Sequence, residues 1–217
     1  MRTALKLSVP LFALNEVEAK TVDAIASRIF PPDEHSGGAH EAEVVVYIDR
    51  TLAGHARHLQ AFYHNCLGEL DAYCSTHFSG PFAELSEREQ EEVLGRLDTH
   101  NVAVGSGGRL PPAEPTRDAP DHLRPSTTLR VFFDVIWEHT VQGMFCDPAY
   151  GGNRDAIGWR FLGFPGAQWG YSAEQRGRGF DATSIPIRTL ADLQRERPWD
   201  TRPGIDLEKD KGDAPSN

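Results

Sequence analysis

The residues with the clearest chemical potential are two acids and an arginine in the segment 143–159. Asp147 and Asp155 accompany Arg154 in a stretch rich in glycine and aromatic residues. The planar guanidinium of an arginine can hold a carboxylate or backbone carbonyls and so fix the shape of a loop. Acid–base catalysis by the same three residues together with a histidine is the alternative. We favour the loop-fixing role and expect the segment to present a rigid surface.

Motifs for two other kinds of chemistry are incomplete. The string GSGG at 105–108 contains a serine, but no predicted strand precedes it, as a nucleophile elbow requires. The string GGNR at 151–154 follows a helix rather than a strand and has neither dinucleotide-binding nor P-loop spacing. The sequence therefore gives no support for an esterase-like nucleophile or for nucleotide binding.

Histidines and cysteines were weighed as metal ligands. His55, His58 and His64 could share one helix face, but no HExxH motif accompanies them, and we interpret them as solvated polar positions. The three cysteines are Cys66, Cys74 and Cys146. None belongs to a CxxC pair, and a continuous helix would separate the first two by about 12 Å, too far for a disulfide. We expect buried, unpaired thiols.

Composition limits the classes of partner. The chain has 217 residues and a formal net charge of −10, which argues against nucleic acid or anionic lipid as the main partner. No twin-arginine pair, signal-peptide core or apolar run of about 18 residues occurs, so we predict no membrane insertion. As written, the sequence suits the cytoplasm, whereas a processed or co-exported chain would be periplasmic.

Hydrophobic periodicity predicts an all-α fold of about five main helices. Four of them are expected at 15–29, 39–52, 59–74 and 127–144, and the remaining one opens at the capping box of Ser86 and Glu89. The last of the five is apolar on most of its circumference and should be central. We predict one helical domain over residues 1–200.

The rest of the chain is predicted to be irregular. Residues 101–126 form a long Gly- and Pro-rich excursion, and a short helix is expected at 189–197. Most large aromatic residues fall in the C-terminal half, where they either form a protein-binding surface or cover the helical core. Residues 201–217 lack aromatics and should be a disordered or partner-ordered tail.

Several strings are similar to a known family. They are IFPPD at 29–33, YID at 47–49, GMFxDPxYGGNRDxxGW at 143–159 and LGFPG at 162–166. In this order they resemble the gluconate 2-dehydrogenase subunit 3 family over about residues 15–166. The sequence departs from the family in lacking a twin-arginine leader and in the length of the excursion.

The resemblance implies a small, mostly helical and non-catalytic subunit of a heteromeric sugar or glucoside dehydrogenase. Its large partner would be a flavin subunit of the glucose-methanol-choline type that carries FAD and, in several relatives, an iron–sulfur cluster. Such subunits support folding of the flavin subunit and commonly supply the signal that exports both chains. A cytochrome c electron acceptor is a further partner to consider.

We therefore assign no catalytic, cofactor-binding or metal-binding residue to this chain and predict a partner interface instead. Its expected members are Met144, Phe145, Asp147, Pro148, Tyr150, Gly151, Gly152, Asn153, Arg154, Asp155, Trp159, Phe164 and Trp169. A stand-alone enzyme that uses Asp147, Arg154 and Asp155, or a free scaffold without a redox partner, are the alternatives.

Overall fold

Seven α-helices make up the regular structure of the part of the chain that the computed structural model describes, residues 7–34, 36–98 and 124–196. They are α1 (Glu16–Ile29), α2 (Val44–Ala53), α3 (Gln60–His77), α4 (Glu87–Leu97), α5 (Thr127–Phe145), α6 (Ile157–Leu162) and α7 (Leu190–Glu196). No β-sheet forms within these ranges, where the nearest approach is one isolated bridge between Gly166 and Arg188. The predicted all-α class is confirmed.

Two helices begin at the caps that the sequence indicates. The Asn15 side chain accepts hydrogen bonds from the Val17 and Glu18 amides at 2.9 and 3.0 Å, ahead of α1. Before α4, the Ser86 hydroxyl accepts from the Glu89 amide, and the Glu89 carboxylate accepts from the Ser86 amide at 2.8 Å. These bonds satisfy amides that have no partner inside the helix.

Helix α2 begins five residues later than predicted. The predicted start at residue 39 is wrong because residues 39–43 form turns, and Glu43 has a φ of 51°, a left-handed conformation that a right-handed helix cannot contain. The predicted end near Gly54 is correct. Helix α3 begins one residue later than expected, after a short 3₁₀ turn at Arg57–Leu59, and extends to His77.

Helix α5 is central, as predicted, and packs against α1, α2, α3, α4 and α6. Its buried face includes Leu129, Phe132 and Ile136, which belong to the single hydrophobic core shared by α1 to α5. The expectation of an apolar, buried surface nearly all round is wrong at Val131 and Trp137, which are 49% and 39% exposed. Both side chains face solvent.

Several predicted features fall partly or wholly outside the described residues. Of the predicted excursion at 101–126, residues 101–123 lie outside the described residues. Ser126, at its end, caps α5 by accepting from the Leu129 amide at 3.1 Å. The tail at 201–217 and the domain limit at residue 200 also lie outside and stay predictions. The short C-terminal helix is present as α7. Within the described ranges, no helix combines the length and apolar content needed to cross a bilayer.

Candidate functional site

The segment that follows α5, residues 146–166, folds back over the C-terminal end of that helix, and we call it the capping segment. The Asn153 amide nitrogen donates to the Cys146 carbonyl at 2.7 Å, and the Trp159 indole donates to the Phe145 carbonyl at 2.8 Å. The Asn153 side-chain oxygen accepts from the Gly158 amide at 2.8 Å. Asn153 is fully buried. The segment thus supplies donors for carbonyls that a helix end leaves unpaired.

Two glycines allow the capping segment to lie directly on the helix backbone. A Cβ atom at Gly152 would lie 2.2 Å from the Gly143 carbonyl oxygen, and one at Gly158 would lie 2.0 Å from that of Met144. Both distances are far below van der Waals contact. Any side chain at either position would push the segment away from α5, so both glycines serve close approach of the backbone.

Backbone strain is concentrated in the same place. In the described part of the chain, four non-glycine residues have positive φ: Glu43 at 51°, Asn153 at 47°, Asp155 at 54° and Ala156 at 56°. Left-handed conformations of such residues typically cost on the order of 1–3 kcal/mol each and persist only where the surroundings impose them. Here the hydrogen bonds of Asn153 and the packing of the two glycines impose the conformation.

A buried carboxylate joins the capping segment to the start of α2. Glu43 is 5% exposed and accepts from the Arg154 guanidinium at 2.8 Å, from the Ser8 amide at 3.0 Å and from the Ser8 hydroxyl. The Arg154 amide also donates to the Ala42 carbonyl at 3.0 Å. Arg154 therefore fixes the loop, as predicted, although its close partner is Glu43, while the Asp155 carboxylate lies 3.7 Å away.

Asp147 has a different structural role. One carboxylate oxygen accepts from the Ala149 amide at 2.9 Å and caps the 3₁₀ turn Pro148–Tyr150, while the other accepts from the Leu190 amide at 2.8 Å. Leu190 is the first residue of α7, so this one side chain ties residues 167–196, which we call the C-terminal arm, to the capping segment. Both oxygens are engaged by backbone donors.

The residues predicted as a partner interface divide into an inner and an outer set. Those buried in the isolated chain are Met144, Asp147, Gly152, Asn153 and Trp159. Those partly buried are Phe145, Pro148 and Gly151. Those exposed are Tyr150, Arg154, Asp155, Phe164 and Trp169. The inner set holds the shape of the segment, and the outer set is available to a partner. The interface itself stays a prediction.

Exposed apolar side chains are frequent in and just after the capping segment. Among the described residues they include Tyr150, Phe161, Leu162, Phe164, Trp169 and Tyr171, each between 39% and 58% exposed. Trp159, in contrast, is 5% exposed and packs edge-to-face on Phe164 with ring centroids 5.3 Å apart. Trp159 therefore covers the helical core, whereas a protein-binding role for the exposed aromatics stays a prediction.

An open cleft of about 580 Å³ lies beside the capping segment. Its walls come from the second half of α2, the end of α5 and the turn at Pro148–Tyr150, and they include Tyr47, Arg50, Gln142, Phe145 and Tyr150. The Tyr47 hydroxyl donates to the Gln142 side chain at 3.0 Å. The aromatic walls and the single guanidinium give the cleft an apolar lining with one strong cation.

Two buried polar arrangements were not predicted. The Asp49 carboxylate, 1% exposed, accepts from the consecutive amides of residues 12, 13 and 14 at 2.8–2.9 Å and so holds the chain that leads into α1.

In the second arrangement, the Tyr63 hydroxyl of α3 lies 2.7 Å from the ring Nδ1 of His139 of α5. Burial lowers the pKa of His139 and raises that of Tyr63. Helical spacing from Phe132 and Ile136 places His139 on the buried face, a signal that could have identified it.

The cysteines are unpaired, as expected. Cys66 and Cys74 are fully buried, and burial raises the pKa of their thiols to about 11 and about 12. Cys146 is partly exposed, and burial raises its thiol pKa to about 11. All three are therefore protonated at neutral pH and are weak nucleophiles.

The histidines considered as metal ligands are dispersed over the surface. His64 Nδ1 lies 2.6 Å from the Glu18 carboxylate, and His55 and His58 are exposed. Within the described ranges, no three His, Cys, Asp or Glu side chains are grouped as metal ligands would be.

Comparison with known proteins addresses the family. The family model described as gluconate 2-dehydrogenase subunit 3 matches residues 16–166, which span α1 to α6 and the capping segment. No curated protein and no solved structure matches the chain. The match covers most of the sequence and confirms the resemblance that the residue strings indicate. The chain therefore belongs to the gluconate 2-dehydrogenase subunit 3 family, named for an accessory subunit of a dehydrogenase complex.

Proposed function

We propose that this chain is the non-catalytic small subunit of a heteromeric, FAD-dependent sugar or glucoside dehydrogenase whose large subunit is of the glucose-methanol-choline type. In this proposal the chain supports folding and stability of the flavin subunit. FAD, any iron–sulfur cluster and the hydride chemistry belong to that subunit, and a cytochrome c would accept the electrons downstream.

The observation that carries the proposal is that some residues of the capping segment hold its shape while others face outward. Asn153, Gly152, Gly158 and Trp159 are used internally to hold the segment on α5. The side chains that this rigid segment turns outward include aromatics and an arginine, the residue types most enriched at the energetic centres of protein interfaces. A shape that is fixed before binding suits association, because little entropy is lost on complex formation.

The contacts of the acidic residues favour this function over a stand-alone enzyme. Asp147 accepts two backbone amides, and the close partner of Arg154 is Glu43, so neither is left poised for proton transfer to a substrate. Asp155 is exposed, and its one ion pair among the described residues is with Arg154. Turnover of a sugar by the purified chain without any partner would support the enzyme instead.

Co-expression tests the proposal. A flavin dehydrogenase subunit of the glucose-methanol-choline type from the same organism is expressed alone and together with this chain, and the yield of soluble, FAD-loaded enzyme and its sugar-dependent dye reduction are measured. We expect soluble, active enzyme to depend on the presence of this chain and the two polypeptides to co-purify. Equal yield and activity in both cultures would refute the proposal.

A further inference from the structure

The cleft beside the capping segment, which shares Phe145 and Tyr150 with the predicted partner interface, has the properties of a small-molecule binding site. Its volume of about 580 Å³ falls within the range of pockets that hold a small organic molecule. Tyr47, Phe145 and Tyr150 supply aromatic walls from three different parts of the chain. The cleft can therefore enclose a flat or aliphatic group on several sides.

Arg50 gives the cleft a cation without a counterion. The side chain is partly buried, and among the described residues no carboxylate lies within 4.0 Å of it and no hydrogen-bond acceptor is paired with it. A guanidinium removed in part from water and left unpaired retains its full capacity to bind an anion through two parallel hydrogen bonds.

The capping segment makes room for this guanidinium. Gly151 has a φ of 108°, and a Cβ atom there would lie 2.8 Å from Arg50 Cδ and 3.0 Å from its Nη1. The absence of a side chain at Gly151 thus lets Arg50 lie along the segment at the cleft. The position of the cation is set by the same loop that shapes the cleft.

The acids near the cleft are engaged elsewhere. Both oxygens of Asp147 accept backbone amides. Glu138, one turn before Gln142 on α5, accepts from the Gln142 side chain at 3.1 Å. His55 also lines the cleft. Asp147 also lines the cleft and keeps its negative charge, but both of its oxygens are engaged, so Arg50 remains a guanidinium that no carboxylate of the described residues contacts directly.

We propose that this cleft binds a carboxylate carried on an aromatic or aliphatic body. Arg50 holds the carboxylate, and Tyr47, Phe145 and Tyr150 enclose the apolar part. The same chemistry is available from two sources, a free organic acid or an acidic side chain of the dehydrogenase subunit. Binding of a free acid does not require the proposed function, whereas occupation by the partner's side chain does.

Phenylacetate and its neutral isostere phenylacetamide are the probes, titrated into the purified chain by calorimetry. Phenylacetate has ten non-hydrogen atoms, and the ligand efficiency usual for organic ligands gives it a dissociation constant of about 6 mM or tighter. Phenylacetamide should bind about tenfold more weakly or worse. Equal affinity for the two probes, or no saturable binding of phenylacetate by about 10 mM, would overturn the proposal.

Variants locate the site. Arg50→Gln should weaken phenylacetate binding about tenfold or more, equivalent to about 1.4 kcal/mol. Arg50→Lys should retain part of the affinity, because the charge remains while the bidentate geometry is lost. Arg57→Gln, in the exposed turn that follows α2, is the matched control and should bind like the wild type. Unchanged affinity in a folded Arg50→Gln variant would assign binding elsewhere and refute the site.

The two sources are distinguished with the co-purified complex. If a partner's acidic side chain occupies the cleft, saturating phenylacetate and Arg50→Gln should both loosen the complex. If the cleft takes a free acid, the complex should be indifferent to both, while the isolated chain still binds phenylacetate. Either result is consistent with a carboxylate site, and the titrations of the isolated chain decide whether the site exists.

Discussion

At the scale of single residues, Asn153 shows how one residue of the family motif determines local structure. It combines a left-handed backbone with a buried side chain that contacts both the end of α5 and the start of α6. Asparagine is one of the few non-glycine residues that tolerate this conformation, and its amide supplies one donor and one acceptor at once. Asparagine therefore meets the backbone and the hydrogen-bonding requirements of this position together.

Replacement of Asn153 should therefore reduce stability through two separable effects. Asn153→Ala removes the partners of the Cys146 carbonyl and the Gly158 amide and substitutes a residue that tolerates left-handed backbone less well, so we expect a loss of about 2–4 kcal/mol in the free energy of unfolding. Asn153→Gly should lose about 1 kcal/mol less, because glycine relieves the strain. Urea unfolding followed by circular dichroism measures both, and Asp155→Asn is an exposed control that should change little. Equal losses in the Ala and Gly variants would show that the backbone is unstrained.

His139 should make stability depend on pH. Burial lowers its pKa in the folded chain, whereas the unfolded chain takes up a proton near the ordinary value of about 6.5. Below about pH 6.5 the unfolded state therefore binds more protons, and the folded state loses stability until the pH reaches the lower, folded pKa.

The measurement compares the wild type with His139→Gln, which cannot titrate but can still contact Tyr63. We expect the wild type to lose stability relative to this variant as the pH falls below about 6.5 and to show a constant difference above about pH 7. Asp23, whose pKa is raised by burial, acts with the opposite sign but is present in both proteins, so its effect cancels. A pH-independent difference would mean that His139 is protonated as readily in the folded chain as in the unfolded one.

At the scale of elements, the contact between α5 and α6 depends on glycine for space rather than for conformation. Gly158 lies within α6, its φ is not positive, and an added Cβ would lie 2.0 Å from the Met144 carbonyl. Gly68 lies within α3 with no atom within 4 Å of its virtual Cβ. The two positions form a matched pair of helical glycines.

Alanine at these two positions should have opposite effects. Gly158→Ala should destabilise the chain by about 1–3 kcal/mol or more, because the rigid helix end cannot yield. Gly68→Ala should stabilise it by about 0.5–1 kcal/mol, the usual gain when a glycine is removed from a helix interior. Thermal unfolding monitored at 222 nm compares them directly. A stabilising Gly158→Ala would show that α6 can move away from α5 without loss.

A second element-scale feature is the link that Glu43 makes between the N-terminal residues and the capping segment. Because Ser8 and Arg154 both donate to this one carboxylate, Ser8→Ala and Arg154→Ala should not be additive. Arg154 is half exposed, so solvent screening reduces its contribution, and we expect a coupling energy of about 0.5–1 kcal/mol. The coupling should vanish when the cycle is repeated in a Glu43→Gln background. Additive stability losses in the chain that retains Glu43 would show that the Ser8 and Arg154 contacts act independently.

These elements also indicate which parts of the fold can be predicted from the sequence. The caps at Asn15 and Ser86 and the periodicity of α3 and α5 are local signals, and the structure confirms them. The left-handed turn at Glu43 was missed because glutamate carries no turn signal. The pairing of Glu43 with Arg154 spans 111 positions, and no local pattern encodes a contact at that separation. The strings at 143–166 located the candidate site, but not which members face inward.

At the scale of the whole molecule, the chain consists of a helical core, α1 to α5, and a capping segment with a C-terminal arm laid against one end of it. Asp147 and the bridge between Gly166 and Arg188 hold the arm in place. The arm and segment carry most of the exposed aromatics, and the buried residues of both the core and the segment supply stability. Substitutions of outward-facing and of buried residues should therefore affect different measurements.

Trp169 and Trp159 test this separation. Trp169 is 46% exposed and its indole donates to Glu196 at 3.2 Å, so Trp169→Ala should leave the unfolding midpoint nearly unchanged but weaken association with the flavin subunit about tenfold or more. Trp159→Ala removes a buried ring and the donor to the Phe145 carbonyl, and it should cost about 3–5 kcal/mol of stability. Val131→Ala, at an equally exposed apolar position on α5, controls for loss of surface area and should alter neither measurement. If the Trp169→Ala and Val131→Ala variants bind the flavin subunit equally well, the interface lies elsewhere. The reason is that removal of an aromatic anchor from the centre of an interface always lowers affinity.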